Sequence, residues 1–288
     1  MSYTSIQDVI QQVYENCQHK WVPVNRGRMV PLSAGRIYDL ATAYPTAGDP
    51  GAGSTAGFIS SVYAGTAGTA VVKDRSSLGA IDAGPDLSPS QKFLLAVEVI
   101  SCSTNGLVQF NIVDVLLYYP ALVLTGTPTA LTNGVSLSRY TDGEGVMAYL
   151  VADGTLGAGL PAMTFTYTNH AGTGSRAAQV VGVDNTQGCP ILLHAEHWLT
   201  LQSGDRGIRS VESYTIDSGG ATGTATLVLC RPIASFQIAT PLSRDFLFGG
   251  SRPLPEILDG ACLNLLVRAA ANTSTTPTFE GGLMIGWV

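Results

Sequence analysis

The sequence predicts an all-β protein, a jelly-roll-like β-sandwich preceded by an N-terminal helix and an extended arm. Short apolar segments alternate with turn sequences rich in Gly, Asn, Asp and Ser from about residue 92 onward, a pattern typical of sandwiches. The 33 Gly and 15 Pro are enough for many tight turns but fall well short of collagen-like composition. No strand–helix–strand alternation occurs, which argues against a nucleotide-binding α/β fold.

Segment 4–14 has the pattern of a short amphipathic helix. Ile6, Val9, Ile10 and Val13 recur at helical spacing and would form one apolar stripe. Isolated helices of this length are only marginally stable in water. We therefore expect the stripe to pack against its own domain or against a neighbouring subunit.

Residues 18–40 are predicted to form an extended arm, because prolines and glycines interrupt the segment. Trp21, Arg26 and Arg28 in this arm are candidates for contact with a neighbouring subunit, since aromatic residues and Arg are enriched at protein interfaces. Residues 45–90 are rich in Gly, Ala, Ser, Thr and Pro and are predicted to form a long loop region, which at this length is usually functional or ordered by a partner. Short strands near 57–63 and 69–72 are expected to interrupt it.

The rest of the chain predicts strands joined by turns. Ten strands are predicted, at 93–101, 107–119, 145–151, 163–168, 175–183, 196–202, 207–216, 222–231, 262–269 and 277–288. Turn sequences predict four hairpins, with turns at 103–106, 169–174, 217–220 and 271–276. Long connections elsewhere favour a Greek-key or jelly-roll path over a simple meander.

The chain is therefore predicted to have two parts. Residues 1–90 hold the helix, the arm and the loop-rich region, and residues 91–288 form the β-sandwich domain. A single helical turn is predicted at 255–258, where Pro precedes an apolar pair and Gly260 follows.

Charge is scarce in this chain. Hydrophobic residues make up 45% and charged residues 12%, against about 25% charged residues in a typical soluble domain. Such a chain is expected to bury much of its surface against other subunits, although uncharged Ser, Thr and Asn are an alternative covering. The net charge of −6 and the absence of a basic run argue against direct nucleic-acid binding. We also expect no membrane span and no export signal.

The residue patterns predict no catalytic, metal or cofactor site. His194 and His197 are three apart with Glu196 between them, but strand spacing would place the two histidines on opposite faces. Asp142 and Glu144 lie in the sequence Asp-Gly-Glu-Gly, which predicts a solvent-exposed turn rather than a cation site. The five cysteines are widely spaced and predicted to be buried free thiols: they are Cys17, Cys102, Cys189, Cys230 and Cys262. Arg206 and Arg209, beside Gly207 at the start of a predicted strand, are further interface candidates.

Three segments resemble parts of tailed-bacteriophage virion proteins. Residues 167–176, YTNHAGTGSR, resemble a "YTN–xxG–xxxR" hairpin. Residues 204–213, GDRGIRSVES, resemble a "GDxGxRSxxS" segment. Residues 227–233, LVLCRPI, are similar to an apolar strand that ends in a basic residue and Pro. The resemblance covers about a quarter of the chain.

The resemblance implies a non-enzymatic structural protein of the virion, with a capsid decoration (cement) protein as the first expectation. Such proteins are similar to jelly-roll trimers that clamp the lattice of the major capsid protein, so a homotrimer at the phage head surface, made in the host cytoplasm, is expected. The alternatives are a tail, neck or fibre protein, or a carbohydrate-binding host-attachment sandwich. In the last case Trp21, Tyr118, Tyr119 and Trp198 would stack on sugars.

Overall fold

The protein is nearly all β, with antiparallel sheets packed on one another as in a sandwich. The structure is a computed structural model. It describes residues 10–16, 18–26, 37–42, 60–88, 90–102, 107–124, 129–153, 162–180, 198–218, 223–239, 244–247, 254–269 and 279–288. None of its helical turns is long and apolar enough to cross a membrane. The fold class predicted from the sequence, an all-β sandwich, is confirmed.

Sixteen strands and three short helical turns make up the described part of the chain. The strands are β1 His19–Arg26, β2 Ile37–Asp39, β3 Val71–Val72, β4 Ile81–Asp82, β5 Lys92–Cys102, β6 Leu107–Val123, β7 Thr129–Ala130, β8 Met147–Ala152, β9 Ala162–Asn169, β10 Arg176–Val180, β11 Ile208–Ser218, β12 Thr224–Ala239, β13 Arg244–Leu247, β14 Glu256–Ile257, β15 Cys262–Ala269 and β16 Phe279–Trp287. A π-helical turn spans Ile10–Glu15, and 3₁₀ turns span Leu40–Thr42 and Ser60–Tyr63.

The strands form three antiparallel sheets. The central sheet has the order β2-β15-β6-β12-β8, with β3 beside β6 and β4 beside β15. The terminal sheet contains strands from both ends of the chain in the order β1-β16-β5-β13, with β14 beside β5. The small sheet has the order β10-β9-β11-β7.

Both outer sheets pack on the same face of the central sheet. In β6, Phe110 and Ile112 belong to the core shared with the terminal sheet, whereas Leu117 and Tyr119 belong to the core shared with the small sheet. Alternation alone would place even and odd positions on opposite faces. The register skips Leu116, and this bulge lets even positions before it and odd positions after it share one face.

The opposite face of the central sheet carries a buried polar group. Asp39 Oδ2 accepts hydrogen bonds from the hydroxyls of Tyr63 at 2.6 Å and Tyr149 at 2.9 Å. Its Oδ1 accepts from Asn264 Nδ2 at 2.6 Å and from the Ala41 backbone N–H at 2.9 Å. Because β2 and β8 are at opposite ends of the strand order, the bond from Tyr149 to Asp39 requires the sheet to curl toward this face.

The pairing of three predicted hairpins is wrong. Only the turn at 169–174 joins paired strands, β9 and β10. The turn sequences at 103–106, 217–220 and 271–276 stand between strands of different sheets: β5 and β6, β11 and β12, and β15 and β16. A corner between two packed sheets needs the same reversal of the chain as a hairpin does, so turn sequences alone do not distinguish the two.

The N-terminal region differs from the predicted arm and loops. Within 18–40, β1 pairs with β16 and β2 pairs with β15, and both place apolar side chains in the core. In the described part of 45–90, β3 falls within the short strand predicted near 69–72, whereas the described part of 57–63 forms a 3₁₀ turn instead of a strand and β4 was not predicted. The buried Lys73 ammonium donates to the carbonyls of Val62 and Leu78. Strands on both sides of the predicted boundary at 90/91 therefore share the same sheets.

Two smaller predictions also fail. Residues 255–258 contain the short strand β14 rather than a helical turn, because Glu256 and Ile257 pair with β5. In the described part of 196–202, Thr200 forms an isolated bridge to Gln179 instead of a strand. The helix predicted at 4–14 lies mostly outside the described residues, which begin with the π-helical turn.

Candidate functional site: the Asp205 turn cluster

Three turns meet at one end of the small sheet, and we name them the Asp205 turn cluster: residues 140–145, 170–175 and 201–207. The first precedes β8, the second joins β9 to β10 and the third leads into β11. Backbone hydrogen bonds hold them together, from the Gly145 N–H to the Arg206 carbonyl at 2.7 Å and from the His170 N–H to the Gly207 carbonyl at 3.0 Å.

Asp205 is the centre of this cluster. Arg176 donates to both of its carboxylate oxygens, from Nε to Oδ2 at 2.9 Å and from Nη2 to Oδ1 at 3.2 Å. The Tyr167 hydroxyl donates to Oδ2 at 2.5 Å, and Asn169 Nδ2 donates to Oδ1 at 2.7 Å. A two-point Arg–carboxylate pair fixes both distance and orientation. Asp205 therefore ties the β9–β10 hairpin to the loop before β11.

The environment of Asp205 stabilises its charged form. Its side chain is only 3% exposed and that of Arg176 is 25% exposed. The hydrogen bond from Arg176, helped by those from Tyr167 and Asn169, lowers the pKa of Asp205 to about 2. Burial and the hydrogen bond to this carboxylate raise the pKa of Tyr167 to about 12. The cluster is thus ionised at Asp205 and neutral at Tyr167 at ordinary pH.

The same side chains also hold the turns internally. The Tyr167 hydroxyl accepts a hydrogen bond from the Gln202 N–H at 3.0 Å. Asn169 Oδ1 accepts from the Thr173 N–H at 2.9 Å. Each polar side chain therefore satisfies a backbone group of one turn while it contacts the carboxylate of another, so the loops have a defined shape.

Gly207 allows the closest approach between two of the turns. A Cβ atom at this position would lie 2.0 Å from the Gly143 carbonyl oxygen and 2.7 Å from the Gly145 nitrogen. Both neighbours are backbone atoms and cannot move aside like a side chain. The residue type at 207 is therefore explained by packing.

The two arginines predicted as interface residues both lie in or beside the cluster. Arg206 is 67% exposed and lies 3.2 Å from Glu144, itself 49% exposed. Arg209 is exposed and donates from Nε to the Thr141 carbonyl at 3.2 Å. Because both guanidinium groups bridge to the 140–145 turn and still face solvent, they present charge at a fixed position.

The other predicted interface residues that the structure describes lie on other elements. Trp21 lies on β1, at the end of the strand order of the terminal sheet, and is 42% exposed. Ile10 and Val13 are in the π-helical turn, and Arg26 is the last residue of β1. The structure describes the backbone of these three residues but not their side chains. Ile6, Val9 and Arg28 also lie outside the described residues.

The histidines, the acidic turn and the cysteines considered in the sequence can be compared with the structure only where it describes them. His194, Glu196 and His197 lie outside the described residues. Asp142 Oδ1 accepts from the Glu144 N–H at 3.0 Å, which makes the turn self-contained. Among the described residues, no group of three or more His, Cys, Asp or Glu could hold a metal ion. Cys230 and Cys262 are buried free thiols, as predicted, and burial raises the pKa of both thiols.

Sequence reasoning did not assign roles to Asp205, Arg176 and Asn169. All three nevertheless stand in the segments that carry the phage resemblance, 167–176 and 204–213. The two segments are about thirty residues apart in sequence, yet their polar residues converge on one carboxylate. In the sequence, the only indication that Asp205 lies near Arg176 and Asn169 was that both segments resemble the same kind of protein. In comparisons with known proteins, no protein-family model, curated protein or solved structure matches this chain.

Proposed function

We propose that this chain is a non-enzymatic structural protein of a tailed-bacteriophage virion, which decorates the head by binding the lattice of the major capsid protein. The Asp205 turn cluster is the contact surface in this proposal. The observation that carries it is the convergence of the two phage-like segments on one rigid, solvent-facing cluster. A preformed surface loses little conformational entropy on binding, which suits a protein whose role is to stay attached.

The composition supports the same role. Only 12% of the residues are charged, and the cluster carries charges of both signs in Asp142, Glu144, Asp205 and Arg206. Arg206 and Arg209 offer guanidinium donors to carboxylates and carbonyls of a neighbour. Of the four aromatic residues considered for sugar stacking, Tyr118 and Tyr119 are buried in the core, which removes two members of that alternative platform.

The test is sedimentation of the purified chain with capsid shells assembled from the major capsid protein of the particles in which the chain occurs. We expect the chain to sediment with the capsid shells and to saturate at a fixed ratio of chain to capsid protein. An Arg206→Glu and Arg209→Glu double variant should bind at least tenfold more weakly, because the exposed charge is reversed without touching Asp205. Lys20→Glu, an exposed charge reversal on β1, is the matched control and should bind normally.

Antibody labelling of whole particles in the electron microscope distinguishes head from tail. Label on the head supports the proposal. Label on the tail, neck or fibres, or a chain that stays in the supernatant with intact capsid shells, would overturn it.

A further inference from the structure

The loop between β7 and β8 carries an Asn-Gly pair at the protein surface. The sequence contains two such pairs, at 105–106 and 133–134, and the structure describes the second. Both residues of this pair are exposed. The residue just before them is fixed, because the Thr132 N–H donates to the Gly68 carbonyl at 2.9 Å. The pair therefore starts from a defined point of the fold.

Two partners hold the side-chain amide of Asn133. The Tyr119 hydroxyl of β6 donates to its Oδ1 at 2.5 Å, and its Nδ2 donates to the Val211 carbonyl of β11 at 2.8 Å. The Val211 N–H in turn donates to the Tyr119 hydroxyl at 3.3 Å, which strengthens that hydroxyl as a donor. Burial raises the pKa of Tyr119 to about 12, so the hydroxyl keeps its proton at ordinary pH.

An Asn-Gly pair carries the parts of a reaction within its own chain. The backbone nitrogen of Gly attacks Cγ of the Asn side chain and closes a cyclic succinimide. The bond between Cγ and the side-chain nitrogen breaks, and that nitrogen leaves as ammonia with the proton given up by the attacking N–H. Water then opens the ring at either carbonyl to give Asp or isoaspartate, so water is the only co-reactant.

The surroundings of Gly134 favour this attack. Its N–H donates to no acceptor in the described part of the chain, so no hydrogen bond has to break before the nitrogen reacts. A Cβ atom at this position would have nothing within 4 Å, and Gly itself has no side chain to shield its nitrogen. The attacking atom is therefore accessible.

Tyr119 is placed to assist the same step. Negative charge develops on Oδ1 of Asn133 while Cγ is attacked, and the Tyr119 hydroxyl already donates to that oxygen. A preorganised donor at the atom where charge develops lowers the barrier, as in an oxyanion hole. Because the donor is buried, its hydrogen bond is electrostatically stronger than one from water.

The product of the reaction lacks the donor that binds Val211. In Asp, a carboxylate oxygen replaces Nδ2 and accepts hydrogen bonds only. It would face the Val211 carbonyl across the 2.8 Å of the present hydrogen bond. Conversion of Asn133 therefore loosens this loop from β11 and adds a negative charge to a chain whose net charge is already −6.

We propose that Asn133 is a site of self-catalysed deamidation, in which Tyr119 assists the attack of the Gly134 nitrogen on the side-chain amide. The modification needs no partner, so it is independent of the capsid role proposed above.

The test is incubation of the full chain in mildly alkaline buffer, followed by mass spectrometry of the peptide that contains Asn133. We expect Asp and isoaspartate to form there faster in the folded chain than in the chain unfolded in urea. Tyr119→Phe removes only the hydroxyl and should slow the folded reaction about tenfold, with no effect in urea. Gly134→Ala should slow the reaction in both states, because its methyl group hinders the attacking nitrogen without a clash in the fold.

Circular dichroism establishes that each variant is folded. Should Tyr119→Phe not fold, the comparison of the folded wild type with the wild type in urea decides. A slower reaction in the folded wild type than in urea would overturn the proposal. An unchanged or faster reaction in folded Tyr119→Phe would also overturn it, since the hydrogen bonds of Asn133 would then protect the amide instead of activating it.

Discussion

At the scale of single residues, polar groups removed from water organise this protein. Among the described residues, Asp205 accepts four hydrogen bonds, and Asp39 accepts at least four on the opposite side of the central sheet. A buried carboxylate is costly unless its oxygens are satisfied. Both carboxylates meet that condition with side-chain donors that are distant in sequence, and so each one determines where several elements lie.

The depressed pKa of Asp205 predicts acid sensitivity. Its pKa is about 2 in the folded protein and 3.8 in the unfolded chain, so the stability it contributes is complete above pH 3.8 and is lost as the pH falls to about 2. Asp205→Asn should lower the unfolding free energy by about 2 kcal/mol at pH 7 and should flatten its dependence on pH in this window.

Urea unfolding at several pH values measures this effect. Asp74 and Asp259 also have lowered pKa values, so some acid sensitivity should persist in Asp205→Asn. Glu15→Gln, an exposed carboxylate, is the control and should behave like the wild type. Equal pH dependence in wild type and Asp205→Asn would contradict the prediction.

Gly207→Ala should be strongly destabilising. The new methyl group would meet the backbone of the 140–145 turn, and overpacking of this kind costs about 1–3 kcal/mol. Gly134→Ala is the matched control, since nothing lies within 4 Å of the position that its new methyl group would occupy. Thermal unfolding by circular dichroism compares the two; similar melting temperatures would contradict the packing explanation.

At the scale of elements, a buried ion pair marks the place where the two outer sheets meet the central one. Arg139 donates to both oxygens of Asp114 in β6, at 2.9 and 2.8 Å. It also donates to the carbonyls of Lys73 and Val115 at 3.1 Å. Asp114 lies two residues before the skipped position Leu116, so the pair holds the strand where its alternation changes.

Arg139→Ala should therefore cost about 3–5 kcal/mol, because it leaves a fully buried carboxylate without its partner. Arg75→Ala is the control: its pair with Asp86 is longer, at 3.8 Å, and partly exposed, and such pairs contribute about 1 kcal/mol or less. Denaturant unfolding at pH 7 measures both. Equal losses would mean that burial of the Asp114 pair has no special role.

Pro23 protects the edge strand β1. The Trp287 N–H donates to the Gln18 carbonyl at 3.1 Å, and the register between β1 and β16 is regular. By alternation, the backbone of residue 23 faces away from β16. A proline there presents no N–H to another strand, which is a common defence against edge-to-edge pairing.

Pro23→Val should therefore increase self-association, because it restores an outward N–H on the edge strand β1. Pro23→Lys restores the same N–H but adds a charge that opposes stacking. Light scattering on heating should show larger particles for Pro23→Val than for Pro23→Lys. Identical behaviour of the wild type and Pro23→Val would show that this edge is not available.

At the scale of the whole molecule, the N-terminal region completes the fold. Val22 and Val24 of β1 lie in the core with the terminal sheet, and Ile37 and Leu40 are buried on the central sheet. Asp39 connects β2 to β8 and β15. The described strands before residue 91 are therefore part of the sandwich rather than an appended arm.

Deletion of residues 1–42 should abolish cooperative unfolding, since it removes β1, β2 and the Asp39 carboxylate together. Deletion of residues 1–9, which removes no described element, is the control. Circular dichroism and size exclusion compare the products. A folded, cooperative 43–288 fragment would show that the sandwich is complete without its N-terminal strands.

Local patterns in the sequence determined the class of structure and many of its strands. Alternation of Met163, Phe165 and Tyr167 with threonines predicts β9 and its buried face, because side-chain period is a property of the backbone itself. The turn sequence at 169–174 predicts the β9–β10 hairpin, because turn chemistry is also a local property of a few residues. The scarcity of charge was also visible in the composition.

Only the tertiary structure decided which strands pair and which polar groups meet. β6 pairs with β12 across about a hundred intervening residues. The strong turn sequence at 103–106 had predicted that β6 pairs with β5 instead. Asp205 and Tyr167 are 38 residues apart, and no local rule joins them. The physical reason is that turn chemistry and alternation act over a few residues, whereas pairing and burial depend on how complete apolar faces fit together.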